Sequence, residues 1–384
     1  MTLRLMAAVL ALALGACSYM PTIPVPRIPW FSSSHKPGPL PAFDAKATPQ
    51  LRWQLAVGGK DGATFAPALQ GNTLYAAGPD GTIVSVEREN GKMNWRVNAG
   101  KPLSSGVGAG ENLVVVGTNK GDVLAFDATG KPLWQSKVTS EVAGPPKVAE
   151  GIVIVWSLDG RIAGLSAADG SRRWVYQRTS PPLTVRRFPG GSTTRGALFT
   201  GTAGGKLLAI DYLTGALGWE GNVATPKGAT ELERIADITS LPIIEARQVC
   251  AVAYQGRLAC FDPARGTLIW SRDFSSLAGM AVDERHLYLT DDKGAVSAMD
   301  KTTGTSVWKQ DKLAARSPSG PVVIGEYVGV VDIEGFLHLL DPQDGSLVGR
   351  VATDGSPPLS QPAAVDGLAY WQTDAGNLLA ATAR

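Results

Sequence analysis

The chain has 384 residues, of which 44% are hydrophobic and 18% charged, and its 36 Lys and Arg nearly balance 34 Asp and Glu. That apolar share is enough for a sizeable core, and the near-neutral balance gives no sign of a polyanionic partner such as nucleic acid. Forty-five glycines in a chain with few helix-like stretches point to many tight turns and an all-β fold.

The N-terminus comes first. Arg4 precedes an apolar run from Leu5 to Leu14 that is too short to span a bilayer as a helix. Gly15 and Ala16 then lead into Cys17, and Leu14-Gly15-Ala16-Cys17 resembles the lipobox of bacterial lipoproteins. The resemblance implies a signal peptide over residues 1–16 and acylation of Cys17, which becomes the new N-terminus. Ser18 follows in place of aspartate, which implies the periplasmic face of the outer membrane. Residues 17–48 form the next unit: recurrent prolines from Pro21 to Pro41 and the run Ser32-Ser33-Ser34 predict an extended, poorly ordered tether. Later apolar runs, such as Leu113 to Val116 and Ile152 to Trp156, are strand-sized.

From residue 49 to 384 one pattern recurs: a strand, a Gly turn, a strand ending near Asp, a second Gly turn, and a strand bearing Trp. The anchors are Gly81, Gly91 and Trp95; Gly121, Gly130 and Trp134; Gly160, Gly170 and Trp174; and Gly205, Gly215 and Trp219. Gly256, Gly266 and Trp270 follow, then Gly294, Gly304 and Trp308; a seventh copy at Gly335 and Gly345 has Gly349 where Trp is expected. The eighth copy, at Gly376, reaches Arg384 without its last strand, whereas Leu51-Arg52-Trp53 is a Trp strand without a copy. The N-terminal strand is therefore expected to complete the last blade of an eight-bladed β-propeller and close the ring, leaving no open edge. Each first Gly supplies a left-handed turn residue, and each Asp shapes the second turn. A Trp at blade period packs between sheets.

This pattern resembles the pyrroloquinoline-quinone (PQQ) type propeller repeat. With the lipobox and tether, the whole chain resembles the BamB family, lipoproteins of the outer-membrane β-barrel assembly machinery. The resemblance implies a non-catalytic periplasmic scaffold that binds the POTRA domains of BamA and assists insertion of β-barrel proteins. Exposed blade edges offer unfolded outer-membrane proteins a place to pair by β-augmentation.

Two connections depart from the repeat. Trp174 to Trp219 spans 45 residues and Trp219 to Trp270 spans 51, against 38 to 42 elsewhere. Extra loop length on a rigid scaffold commonly carries binding. Between Val175 and Ile210 there are basic residues, including Arg186 and Arg187, and no acid; the following segment carries Glu220, Glu231, Glu233 and Asp237. Such loops either pair with each other as solvated ion pairs or face a partner. Thr230 and Glu233 echo a capping box and predict a short helix. The family resemblance favours the partner: the segment 181–186 matches the docking loop and 234–242 the adjacent acidic loop. It implies contact through Leu183, Val185, Arg186, Arg187, Asp237 and Thr239. Val185 stands where the family usually has Leu, and Thr239 where it often has a second acid. Arg186 among aliphatic residues suits an interface centre.

The PQQ-type repeat also admits a quinoprotein dehydrogenase. Such enzymes hold PQQ and calcium through converging acids and carry adjacent cysteines, and neither feature stands out here. His35, His286 and His338 sit in the tether and in two blade strands, without a matched nucleophile. No cofactor or metal is expected. Cys250 and Cys260 face each other if residues 254–256 form a three-residue hairpin loop. They form either a cross-strand disulfide or two small buried thiols, and the strain of a cross-strand bond favours the thiols.

Overall fold

The computed structural model describes residues 36–58, 65–179, 181, 183–185 and 187–384, so the expected signal peptide and Cys17 lie outside the described residues. Among the described residues, thirty-two strands form eight four-stranded sheets. Blades 1 to 7 span residues 68–98, 108–137, 147–177, 191–222, 243–273, 280–310 and 322–352. Blade 8 takes three strands from 363–383 and its outermost strand, Pro49–Ala56, from the other end of the chain. That strand runs antiparallel to Asn377–Ala383, with Pro49 opposite Ala383, Ala56 opposite Asn377, and a bulge between Leu51 and Trp53. The all-β class, the eight blades and the closure all match the sequence expectation.

First strands of neighbouring blades adjoin around a central axis. Second strands, such as Leu113–Gly117 and Ile152–Trp156, are buried along their whole length. They pack between two sheets, so both faces are apolar and no polar alternation appears. Outermost strands such as Met93–Asn98 and Pro132–Lys137 alternate between half-buried and exposed positions, as one covered face requires.

Neighbouring blades are hooked together by the repeat residues themselves. The indole nitrogens of Trp53, Trp95, Trp134, Trp174, Trp219 and Trp308 each donate to a carbonyl in the next blade, at 2.7–2.9 Å. Each ring lies on the second-turn glycine of that blade, from Trp53 on Gly91 to Trp308 on Gly345; a Cβ there would fall 2.5–3.0 Å from the ring. These glycines also have φ between +69° and +85°, so two constraints exclude any side chain. Trp270 packs on Gly304 in the same way, although its indole nitrogen has no partner among the described residues. Asp127, Asp211, Asp262, Asp300 and Asp341 accept amide hydrogen bonds within the turns, the role expected of them.

Gly349 breaks the Trp pattern because the chain itself occupies that place. A Cβ at Gly349 would lie 2.8 Å from the Ala47 carbonyl oxygen and 2.9 Å from Pro49 Cδ. Lys46 and Ala47 both donate their amides to the Val348 carbonyl. Residues 38–48, tether by composition, thus lie on blade 7: Phe43 packs against the blade 6–7 core and Ala47 against the blade 7–8 core.

The cysteines correct the sequence expectation. Cys250 and Cys260 are opposed across blade 5, as the hairpin register required, but they are joined as a disulfide rather than left as thiols. Opposed residues of an antiparallel pair come close enough for the bond, and both side chains are buried.

Candidate docking site

Two long loops leave adjacent blades on the same side of blade 4. One joins Gln177 to Gly191, the other Asn222 to Ile243. Asp237 links them. Its carboxylate accepts the Val185 amide at 2.7 Å through one oxygen and the Gly204 amide at 2.9 Å through the other. Its own carbonyl accepts the Tyr254 amide of blade 5. One side chain therefore ties the first loop, the blade 4 hairpin and blade 5. Burial pushes the Asp237 carboxyl above the usual carboxylate range, while the two amides pull it back.

A second tie lies next to it. The Leu277 carbonyl, in the connection between blades 5 and 6, accepts from Arg187 Nη1 at 2.9 Å and sits 3.4 Å from the Thr239 hydroxyl, which donates to it. Arg187 and Leu277 also border a cavity of about 350 Å³ together with Gln361. The Gln361 side-chain amide bridges the Met280 and Pro321 carbonyls, holding blades 6 and 7 there.

The expected partner residues thus fall into two groups. Asp237 and Thr239 are 3% and 4% exposed, and both side chains face inward, holding the loops. Val185 and Arg187 are half-buried and engaged by these ties, whereas Leu183 stands 39% exposed. Arg186 lies outside the described residues. Leu241, 46% exposed beside the inward Thr239, was not singled out from sequence. Its one sequence signal is a large apolar residue placed before a proline in a long loop.

The short helix does not form. Thr230 and Glu233 do exchange capping-box hydrogen bonds, but residues 231–234 make a turn. The loops' opposite charges do pair in part: Arg178 and Lys206 both contact Glu220, at 2.6 and 3.0 Å. These pairs are partly exposed and contribute little.

Comparison with known proteins agrees with this architecture. The family model described as outer membrane protein assembly factor BamB matches residues 79–310 and 292–384. A protein of that description from Nitrosomonas eutropha is 46% identical over 310 residues, covering 80% of this chain and 76% of its own length. Another from Bordetella pertussis is 40% identical over 372 residues, covering 96% and 94%. The crystal structure of BamB from Moraxella catarrhalis superposes with a TM-score of 0.80 at 25% identity, over 87% of this chain and 99% of that one. A quinohemoprotein alcohol dehydrogenase from Comamonas testosteroni superposes at 14% identity with a TM-score of 0.68, over 87% and 76%, and this likeness shows the fold alone.

Proposed function

This chain belongs to the BamB family of outer membrane protein assembly factors, and from that premise we propose that it is a binding scaffold of the assembly machinery and not an enzyme. Lipidated at Cys17, it sits at the periplasmic face of the outer membrane. There its two long loops dock on the periplasmic POTRA domains of BamA and assist insertion of β-barrel proteins.

The observation that carries the docking surface is the Asp237 tie. A buried carboxylate holds the loop at the Val185 amide, two residues from the exposed Leu183. Ordering costs are thereby met before a partner arrives, the condition under which a few apolar and Arg side chains suffice. Asp237 and Thr239 then act as positioning residues, and Leu183 with Arg186 as contacts.

The dehydrogenase alternative finds little support at the axis. The eight innermost strands, from Ala68–Gln70 round to Ala363–Val365, contain no Asp, Glu or Asn. Calcium and a quinone held by converging acids find no ligand on these strands; the cavity beside Arg187 does carry Asp291 and Asp292, next to Lys293. Among the described residues, no grouping of three or more His, Cys, Asp or Glu could hold a metal ion.

Isothermal calorimetry of the mature chain against the BamA periplasmic domains tests the proposal. Arg186→Glu and Leu183→Glu are each expected to weaken binding by about 2 kcal/mol or more, roughly 30-fold, with the fold intact. Unchanged affinity in both variants would move the interface elsewhere, and no binding by the wild type would remove the partner.

A further inference from the structure

Blade 7 holds a buried ionic cluster that the docking surface does not use. Asp332, fully buried before the strand Phe336–Leu340, accepts Arg316 Nε at 2.6 Å and His338 Nε2 at 2.8 Å on one oxygen. Its other oxygen accepts the Glu334 and Phe336 amides. Arg316, itself buried, donates to Glu334 and to the Gly38 carbonyl. Arg350, on the outermost strand, donates Nε to His338 Nδ1 at 3.3 Å and another N–H to the Pro41 carbonyl; its guanidinium lies 4.8 Å from the centre of the Phe43 ring. Two arginines therefore grip the N-terminal segment, at Gly38 and at Pro41, and both are aimed by the pair Asp332–His338.

The hydrogen-bond pattern sets the proton on His338. Arginine only donates, so the contact from Arg350 needs a lone pair on Nδ1, and the single imidazole proton sits on Nε2, donated to Asp332. We propose that this cluster is a pH-operated clamp: protonation of His338 at Nδ1 turns the acceptor into a donor, repels Arg350, and frees the N-terminal segment from blade 7.

The groups facing His338 are Asp332 from the turn, Arg350 from the outermost strand and Arg316 from the blade 6–7 connection; the N-terminal segment adds a neutral carbonyl and a ring. Burial holds the imidazole below its ordinary value; Asp332 opposes the shift, and Arg350 and Arg316 add to it. Burial acts to raise Asp332, yet the hydrogen bonds from His338, the Phe336 amide and Arg316 keep its carboxyl below the usual range, so it stays ionised as the imidazole titrates. A base depressed in the clamped state takes up a proton on release. The clamp is at full strength above the ordinary histidine value of 6.5 and is lost progressively as pH falls below it. Release of residues 38–48 adds about 30 Å of chain at about 3 Å per residue. That longer reach matters only if Cys17 carries lipid as proposed above; the clamp itself does not depend on it.

Amide hydrogen exchange of the mature protein at pH 7.5 and 5.5, corrected for the intrinsic pH dependence, tests the clamp without lipid or partner. With one linked proton, protection across residues 38–48 is expected to fall at pH 5.5, one unit below the ordinary histidine value, with about tenfold as the ceiling. The strand Tyr327–Val331 should stay protected and serves as the folding control. His338→Gln, which keeps a donor towards Asp332 but does not titrate, is expected to be flat between the two pH values. Arg350→Ala, with His338 in place, should lower the segment's protection by the same amount at both pH values. Equal wild-type protection at the two pH values would overturn the clamp. So would the same acid loss in His338→Gln, or a surviving pH response in Arg350→Ala.

Discussion

Trp174 shows how single residues hold this ring. Its indole, 8% exposed, donates to the Tyr212 carbonyl of the next blade at 2.8 Å while its ring lies on Gly215. Trp174→Ala removes a buried aromatic and its hydrogen bond, and is expected to cost about 3–5 kcal/mol. Gly215→Ala adds a single methyl, but at φ +77° and 2.6 Å from the indole. Left-handed strain and overpacking together should make it cost about 2–4 kcal/mol. Denaturant unfolding of both variants checks this; a neutral Gly215→Ala would mean that the blades yield to it. The Trp and Gly periods were legible in sequence, since each belongs to its own repeat. That the Trp of one repeat rests on the Gly of the next was not legible, because nothing within one repeat specifies its neighbour's approach. Asp237 differs from the turn aspartates in a similar way: its type and loop were readable, but its inward aim depends on amides 52 and 33 residues away.

At the scale of elements, the N-terminal segment and Gly349 explain one another. Composition marks residues 17–48 as extended, and an extended Pro-rich chain leaves its carbonyls free. In residues 38–48 these are taken up by donors nearly 300 positions away, Arg316 and Arg350. Gly349→Trp restores the repeat residue, yet it should destabilise, by about 1–3 kcal/mol, because the Ala47–Pro49 backbone fills that volume. Faster hydrogen exchange across residues 38–48 in this variant would accompany the loss; a stability gain would show that the segment gives way freely. The capping box at Thr230 and Glu233 teaches a related lesson. Its hydrogen bonds form, but Leu232 is 67% exposed and the loop buries no apolar face there, so local capping does not carry a helix through its costly nucleation.

Closure governs the whole molecule. Blade 8 is built from both ends of the chain, so every blade depends on one antiparallel pairing, from Pro49 opposite Ala383 to Ala56 opposite Asn377. Removing residues 1–56 should expose Asn377–Ala383 as an open edge and produce concentration-dependent association, read by light scattering during size-exclusion chromatography. A monodisperse monomer would show that seven full blades and an unclosed eighth suffice. By itself the sequence determined the all-β class, the eight blades, the closing strand and the two outlying loops. Those features are written in turn glycines, strand periodicity and spacing, which act over a few residues and repeat. Only the tertiary structure decided that Cys250 and Cys260 are joined, that Asp237 and Thr239 face inward, and that residues 38–48 lie on blade 7. Each depends on where buried donors and acceptors from distant parts of the chain meet once the ring has closed, and local pattern does not encode that meeting.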